Sequence, residues 1–297
     1  MDQTKIRFIF LAWSFRSERI LHHLVQMKKI PLIVFQLKKD LSSLDGFCQK
    51  HSIEYHRVET IHNKEIHNKM KSLKPDLMLL GNYCEILSDE EINIARLGAI
   101  VTHDGKLPEA RGSSLVNWML INNEAEGGAS IFRAEPELDV GFIVYQERYR
   151  ITEDDDAATL LDKNIEIYCR GLTKIFADLE NNALKEMPQD VSKVGFYRKR
   201  YPKDGLLDLN SMSPGSVHNY VRALVEPYPG AFSYYNGEKV VFRKTSLTRI
   251  DNSVCLNLPE GKIWLLQIES EGKEGRVNAL DFFEKDTVDC KEFETCT

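Results

Sequence analysis

The sequence predicts an α/β fold in which a mostly parallel, doubly wound sheet is followed by a small β-rich domain. Two patterns lead to this prediction. Over the first 150 residues, short apolar runs alternate with polar segments of helical periodicity, which is typical of βαβ units around a parallel sheet. Beyond residue 204, short strand-like runs follow one another and are separated by NG and EG turns, which is typical of a small barrel.

The two patterns meet in the segment MPQDVSKVGFYRKRYPKDG. It holds two prolines, two glycines and five basic residues, a composition that favours a linker. We therefore expect a first domain over residues 1–200 and a second over residues 201–297.

In the first domain, each predicted strand is a short apolar run, and the helices follow from apolar residues three or four positions apart. The first strand covers 6–13, and the helix after it, 17–28, has Ile20, Leu21 and Leu24 on one side. Residues 76–81 (DLMLLG) form a buried strand, and a helix over 88–96 starts with Ser88 as a cap and an acidic first turn. The other predicted strands are 31–37, 54–58, 98–102, 129–132 and 142–149, and the other helices are 41–51, 62–73, 113–123 and 157–184.

In the second domain, one helix over 213–224 precedes the strands. The strands are predicted at 231–235, 239–244, 254–258, 262–269 and 276–283, with alternating patterns and turn residues between them. The last residues, EKDTVDCKEFETCT, are acidic, and we expect this tail to be frayed.

Composition excludes several classes of protein. The chain has 297 residues, 42% hydrophobic and 28% charged, with 39 Lys and Arg against 45 Asp and Glu and a net charge of −6. That charge excludes a strongly basic nucleic-acid binder held by counterion release, so we do not expect a nucleic-acid partner. No apolar run reaches 18 residues, and the start of the chain lacks a signal peptide, so we expect a cytoplasmic protein that does not enter the membrane.

Cysteine spacing and glycine motifs give no further site. The six cysteines lie far apart without CxxC, so we expect reduced thiols and no zinc or other metal. The first strand is followed by AWSFRSE, which is neither GxGxxG nor a P-loop. A ligand is therefore expected at the carboxyl ends of the strands but not in a dinucleotide fingerprint.

The densest pattern lies between residues 97 and 147. It contains Val101-Thr102-His103, the loop KLPEARG from Lys106 to Gly112, Trp118, and the acidic-loop sequence from Leu138 to Gly141. In this order and spacing the segment resembles the folate-dependent formyltransferases. KPDLMLLGNYCEILSDE upstream and YPKDGLLDLN…PYPGAFSYYNGEKVVF downstream extend the resemblance over the whole chain. It implies a Rossmann-like formyltransferase domain followed by an OB-like C-terminal domain.

The resemblance implies that His103 and Asp139 are the catalytic residues. Moving a formyl group from 10-formyltetrahydrofolate to an amine passes through an oxyanion and requires proton transfers. An imidazole titrates near neutrality and serves as a proton carrier, and a carboxylate beside it orients the ring. The alternatives from the residues alone are a polar strand end for His103 and a turn residue for Asp139.

One position departs from the family pattern. Val101 stands where the family has the catalytic Asn that donates to the oxyanion, and loss of such a donor costs a factor of about 10²–10³ in rate. Thr102 is expected to point to the opposite side of the strand. Either the enzyme is slower, or another donor substitutes, or formyl transfer is lost. Asp104, Gly105 and Lys106 also replace the usual loop residues, and we expect a solvated turn rather than a charge pair that acts on His103 or a phosphate.

The resemblance also implies the remaining contacts. Tetrahydrofolate is expected to bind main-chain groups of two loops, at the positions Cys84, Glu85, Ile86, Leu87, Leu138 and Asp139. The acceptor is expected to face Lys106, Pro108, Arg111 and Gly112. Arg111 either binds a substrate phosphate or pairs with a nearby acid.

The acceptor is expected to be a nucleotide-linked amino sugar for surface polysaccharide such as lipopolysaccharide. The segment FQLKKDLSSLDGF lacks the basic insertion of tRNA formyltransferases, and the linker and C-terminal motifs look closest to the sugar-nucleotide enzymes. The resemblance further implies a homodimer. The alternatives are a methionyl-tRNA or hydroxyornithine-type formyltransferase, and a degenerate member that binds folate or nucleotide without catalysis.

Overall fold

The structure is a computed structural model that describes residues 5–270 and 275–294. The strands up to residue 197 are β1 (Phe8–Ala12), β2 (Ile33–Leu37), β3 (Tyr55–Val58), β4 (Leu77–Gly81), β5 (Ala99–His103), β6 (Arg111–Gly112), β7 (Glu126–Arg133), β8 (Ile143–Arg150) and β9 (Phe196–Tyr197). The first sheet has seven of them, in the order β3-β2-β1-β4-β5-β7-β8. β1 is parallel to β2 and β4, β2 to β3, and β4 to β5, whereas β7 runs antiparallel to β5. The predicted mostly parallel α/β sheet is confirmed.

Both faces of this sheet are covered by apolar side chains. Alternate residues of β1 divide between two clusters, since successive side chains of a strand point to opposite faces. Phe8 belongs to one cluster and meets the ring of Phe176 edge-on at 5.0 Å, while Ile9 belongs to the other cluster with Met70. The helices up to residue 180 are α1 (Ser14–Gln26), α2 (Asp45–Lys50), α3 (Lys64–Ser72), α4 (Asp89–Ile92), α5 (Leu115–Ile121) and α6 (Ala157–Glu180).

The C-terminal part of the chain is β-rich, as predicted. Its elements are α7 (Pro214–Ala223), β10 (Ala231–Tyr235), β11 (Glu238–Ser246), β12 (Val254–Leu258), β13 (Gly261–Ser270), β14 (Val277–Asn278), α8 (Ala279–Phe283) and β15 (Thr287–Asp289). The strands form a second sheet with the strand order β10-β11-β13-β12-β15 and with β14 paired to β13. Its neighbours are antiparallel except β12 and β15, which are parallel.

Two predictions about the end of the chain are wrong. The strand expected over 276–283 is only β14, because the Asn278 side chain accepts a hydrogen bond from the backbone of Leu280 and starts α8 there. The tail is not frayed up to Glu294: β15 pairs with β12, and Phe293 is buried. Cys296 and the other residues of 295–297 lie outside the described part. The helices expected over 41–51 and 88–96 are shortened to α2 and α4.

Contacts divide the chain into two compact units. The first comprises Met1–Gly112, Gly128–Tyr149 and Asp162–Phe196, and the second comprises Ser113–Gly127, Arg150–Leu161 and Tyr197–Thr297. Among the helices in the described ranges, none is long and apolar enough to cross a membrane.

Candidate active site

His103 is the last residue of β5, at the carboxyl edge of the parallel sheet. Its side chain is buried, and its Nε2 lies 2.7 Å from the carbonyl oxygen of Ala110 on the loop that follows. Because a carbonyl can only accept a hydrogen bond, Nε2 carries the proton and donates it to Ala110. In the neutral ring, Nδ1 therefore keeps its lone pair and is the nitrogen that can take up a further proton.

Asp139 faces that free nitrogen. Its Oδ1 lies 3.7 Å from His103 Nδ1, and its Oδ2 accepts a hydrogen bond of 2.8 Å from the backbone N–H of Gly112. Both side chains are less than a tenth exposed. A distance of 3.7 Å is too long for a hydrogen bond but allows strong attraction once Nδ1 is protonated. His103 is therefore placed as a proton acceptor, and the carboxylate of Asp139 supplies a negative charge beside it.

The loop between His103 and Gly112 is fixed to the sheet by two side chains of neighbouring strands. Ser130 on β7 donates to the carbonyl of Gly105 (2.7 Å) and accepts from the N–H of Leu107 (3.2 Å). Gln146 on β8 donates to the carbonyl of Leu107 (2.9 Å). Pro108 follows in a cis peptide bond and is buried. These contacts hold the loop that carries the partners of both catalytic candidates.

Gln189 is a residue of this site that the sequence did not single out. Its Nε2 donates to the carbonyls of Asp139 (2.9 Å) and Gly141 (2.8 Å), and its Oε1 accepts from Arg111 Nη2 (2.8 Å) and Nε (3.2 Å). One amide thus ties the acidic loop to the loop after β5. Of the two roles considered for Arg111, the pair with an acid is not what the structure shows, since the partner is an amide. The only signal in the sequence is a glutamine in the predicted linker, which is too common to be informative.

Val101 lies two residues before His103 on the same side of β5. It pairs with Leu80 on β4 and Phe132 on β7, and it packs against the apolar cluster of Leu107, Phe132 and Ile143. Thr102 points to the other side, where its hydroxyl donates to the carbonyl of Leu80 (3.3 Å) and accepts from the N–H of Asn82 (2.8 Å). Thr102 is thus engaged elsewhere and does not substitute for the hydrogen-bond donor that Val101 lacks.

Asp104 corrects the expectation of a solvated turn. Its side chain is only 16% exposed and forms an ion pair with Arg16 of α1. It also accepts hydrogen bonds from the Tyr168 hydroxyl (2.7 Å) and Asn164 Nδ2 (3.2 Å) of α6. Burial alone would raise the pKa of Asp104, but the charge of Arg16 and the Tyr168 hydrogen bond hold it below its ordinary value. Gly105 is buried as well, and Lys106 is half-buried.

The loop predicted to contact folate follows β4, the strand beside β5, so both loops lie at the same edge of the sheet. Cys84 and Ile86 are exposed, as is Leu138 on the acidic loop, whereas Leu87 is part of the core. The carboxylate of Glu85 turns back to accept from the Tyr83 hydroxyl (2.7 Å) and the backbone of Ile61 (3.2 Å). Folate contact at this loop stays a prediction, and its main-chain groups and the exposed side chains of Cys84 and Ile86 are available for it.

Glu91 anchors the end of the same loop. Its Oε1 lies 2.7 Å from His62 Nδ1 and 2.8 Å from His67 Nε2, while its Oε2 accepts from the N–H (2.8 Å) and hydroxyl (2.9 Å) of Ser88. Burial would raise the pKa of Glu91, but hydrogen bonds from Ser88 and His62 lower it to about 2. Glu91 and both histidines were missed from the sequence, although Ser88 with an acid three positions on is a capping-box signal. Across residues 5–270 and 275–294, no group of three or more His, Cys, Asp or Glu is placed to hold a metal ion.

Comparison with known proteins identifies the family. The family model described as formyl transferase matches residues 18–174, and the model of the formyl transferase C-terminal domain matches residues 200–287. The bifunctional polymyxin resistance protein ArnA of Wigglesworthia glossinidia brevipalpis is 34% identical over 207 residues, which cover 70% of this chain and 32% of ArnA. The chain thus spans about a third of the length of that curated relative.

Two solved structures share the fold. The N-formyltransferase of Helicobacter canadensis, in complex with folinic acid and dTDP-3-aminofucose, has a TM-score of 0.68 at 15% identity and covers 88% of this chain and 98% of its own. HypX of Aquifex aeolicus, in complex with tetrahydrofolic acid, has a TM-score of 0.68 at 16% identity over 99% of this chain and 50% of its own. With the first family model covering more than half of the 297 residues, the chain belongs to the formyl transferase family.

Proposed function

We propose that this protein transfers a formyl group from 10-formyltetrahydrofolate to the amine of a nucleotide-linked amino sugar. The observation that carries the proposal is the pairing of His103 Nδ1 with Asp139 Oδ1 at 3.7 Å, inside the matched formyl transferase region. The tetrahydrofolic acid bound to HypX and the folinic acid and dTDP-3-aminofucose bound to the Helicobacter enzyme support it.

In this mechanism, His103 takes up the proton that the attacking amine must lose. The ring is suited to this because Nε2 is already bound to Ala110 and only Nδ1 is available. Asp139 stabilises the resulting imidazolium by its charge and keeps its position through Gly112. The proton then goes to the folate nitrogen that loses the formyl group.

The oxyanion of the reaction needs a hydrogen-bond donor that Val101 cannot provide. An oxyanion donor is worth a factor of about 10²–10³ in rate. Substituting Val101→Asn therefore distinguishes two cases. An increase in kcat means that the valine is a catalytic deficit, and a decrease means that another group already donates. Apolar packing of Val101 favours the degenerate, non-catalytic member as the second candidate function.

The choice of acceptor rests on ArnA as a relative, on the sugar N-formyltransferase fold and on the net charge of −6, which disfavours tRNA. We further propose a cytoplasmic homodimer, with a formyltransferase domain over residues 1–200 and an OB-like domain over 201–297. The matched ranges 18–174 and 200–287 support this division.

The test is a direct assay with 10-formyltetrahydrofolate and a panel of UDP-, GDP- and dTDP-linked amino sugars, together with hydroxyornithine and methionyl-tRNA. We expect turnover with one sugar class, lost in His103→Asn and Asp139→Asn. His56→Asn is the matched control, since His56 is an exposed histidine of β3. Folate binding without turnover on any acceptor would support the degenerate member, and formylation of methionyl-tRNA would reassign the acceptor.

A further inference from the structure

A small cavity lies within the second unit. It measures about 110 Å³ and is lined by Ser114, Asn117, Arg200, Tyr201, Pro202, Gly205, Leu224, Tyr228 and Pro229. This is well below the roughly 300–1,000 Å³ of a pocket for a whole cofactor. It is also several times the roughly 10–15 Å³ that one water molecule requires. The size fits one small chemical group.

Arg200 is the charged side chain of this cavity, and its guanidinium is held in place by aromatic rings. It lies 4.7 Å from the ring centre of Trp118 and 5.4 Å from that of Tyr220. One of its terminal nitrogens donates to the carbonyl of Asp204. Its Nε is buried and has no hydrogen-bond partner among residues 5–270 and 275–294. A buried, unpaired N–H of a charged group is costly, so this guanidinium has fewer partners than it can bind.

The charges around Arg200 leave a positive excess. The neighbouring carboxylate, Asp204, is engaged by Arg198 through two hydrogen bonds of 2.8 and 3.1 Å. In the part of the chain that the structure describes, Arg200 forms no ion pair with a carboxylate. The positive charge of Arg200 therefore lines the cavity without a carboxylate partner of its own.

Polar groups complete the lining. Ser114 Oγ accepts the backbone N–H of Arg200 (3.1 Å), and as a hydroxyl it can still donate its own hydrogen. Asn117 is fixed by a hydrogen bond of 2.6 Å to the carbonyl of Ala223. A positioned guanidinium and a hydroxyl are the donors that an oxyanion requires.

We infer that this cavity binds a single oxyanion group, a phosphate or a carboxylate, on Arg200. The inference goes beyond formyl transfer and does not depend on it. The group could belong to free phosphate, to a small carboxylic acid or to the phosphate of a nucleotide, and the experiment separates these sources.

The test is calorimetric titration of the full-length protein with inorganic phosphate, acetate and UDP. We expect at least one of them to bind the wild-type protein and to bind Arg200→Met about tenfold or more weakly, since a charged hydrogen bond is lost. The matched control is Lys203→Met, which removes an exposed cation of the same segment and should leave the affinity within about twofold. Phosphate that competes with UDP identifies a nucleotide phosphate, whereas binding of phosphate or acetate without UDP identifies a small free anion.

Binding that is equally strong in Arg200→Met, or the absence of binding to all three probes, overturns the inference. A second variant covers the case in which Arg200→Met fails to fold. Arg200→Lys keeps the charge but replaces the planar fork of the guanidinium with a single ammonium, so its affinity should also fall severalfold, and an unchanged affinity would contradict the proposal. Because the titration contains neither folate nor an amine acceptor, its failure leaves the proposed formyl transfer untouched.

Discussion

A large loss of stability is expected from Asp104→Asn. Asp104 and Arg16 are only 16% and 17% exposed, and the carboxylate also accepts from Tyr168 and Asn164. The asparagine side chain removes the negative charge that pairs with Arg16, and its N–H groups cannot accept the hydrogen bonds that Tyr168 and Asn164 donate. Removing one partner of a buried pair costs about 3–5 kcal/mol, and we expect the lower end, about 3 kcal/mol, because each side chain keeps some solvent contact.

The chain supplies a matched control for this prediction. Arg19, one turn further along α1, pairs with Asp162 of α6, but these side chains are 46% and 59% exposed. Exposed pairs contribute at most about 1 kcal/mol, so Asp162→Asn should have a small effect. Urea unfolding at pH 7, followed by circular dichroism, gives the free energy of unfolding of the three proteins. Equal losses for the two variants would refute the reasoning.

The pH dependence provides a second readout. The pKa of Asp104 is lower in the folded protein than its ordinary value, so the carboxylate stabilises the fold above its unfolded pKa of about 4. That contribution is lost as the pH falls through the folded pKa. The difference in stability between wild type and Asp104→Asn should therefore shrink below about pH 4. A difference that stays constant on acidification would contradict the assignment.

Three further predictions concern other residues. Gln189→Leu should lower kcat about tenfold to a hundredfold with little change in the KM for folate, because Asp139 loses its backbone anchor. Steady-state kinetics test this, and Gln189→Glu is the control variant that keeps an acceptor for Arg111. A lower melting temperature of Gln189→Leu with unchanged kcat would refute the prediction. The wild type should lose stability on acidification from pH 4.5 towards the folded pKa of Glu91, about 2, and Glu91→Gln should lose less stability over the same range. Urea midpoints measured across that range test this. Phe293→Ala should cost about 3–5 kcal/mol in urea unfolding, because Phe293 packs against Tyr235 and Phe242, and a loss below about 0.5 kcal/mol would mean that the tail does not contribute to the core.

The sequence predicted strands and helices well where a single hydrophobic pattern dominates a segment. The buried strands β1 and β4 are continuous apolar runs, and both were predicted within two residues. Asp104 was misjudged because its partners Arg16 and Tyr168 are 88 and 64 residues away, and local sequence cannot show that a charge is buried by distant helices. The tail was misjudged for the same reason, since its acidic composition hides Val288 and Phe293, which the sheet buries.

The candidate site was predicted unevenly. The positions of His103 and Asp139 followed from the family pattern, and the geometry that places them 3.7 Å apart is consistent with that pattern. Gln189 could not be found in this way, because its role consists of hydrogen bonds to main-chain carbonyls, which impose no pattern on the residues that accept them. His62 and His67 escaped notice because each contacts a carboxylate, Glu91, that is distant in sequence.

The backbone of Asp139 limits what mutagenesis can reveal at this position. Its φ is +57°, in the left-handed region that only Gly, Asn and Asp enter readily. An alanine or glutamate here would combine the loss of the carboxylate position with backbone strain of about 1–2 kcal/mol. Asparagine keeps the conformation and removes only the charge. Among residue types, aspartate alone therefore supplies both the anion and the turn, so the chemistry and the shape of this loop constrain the same position.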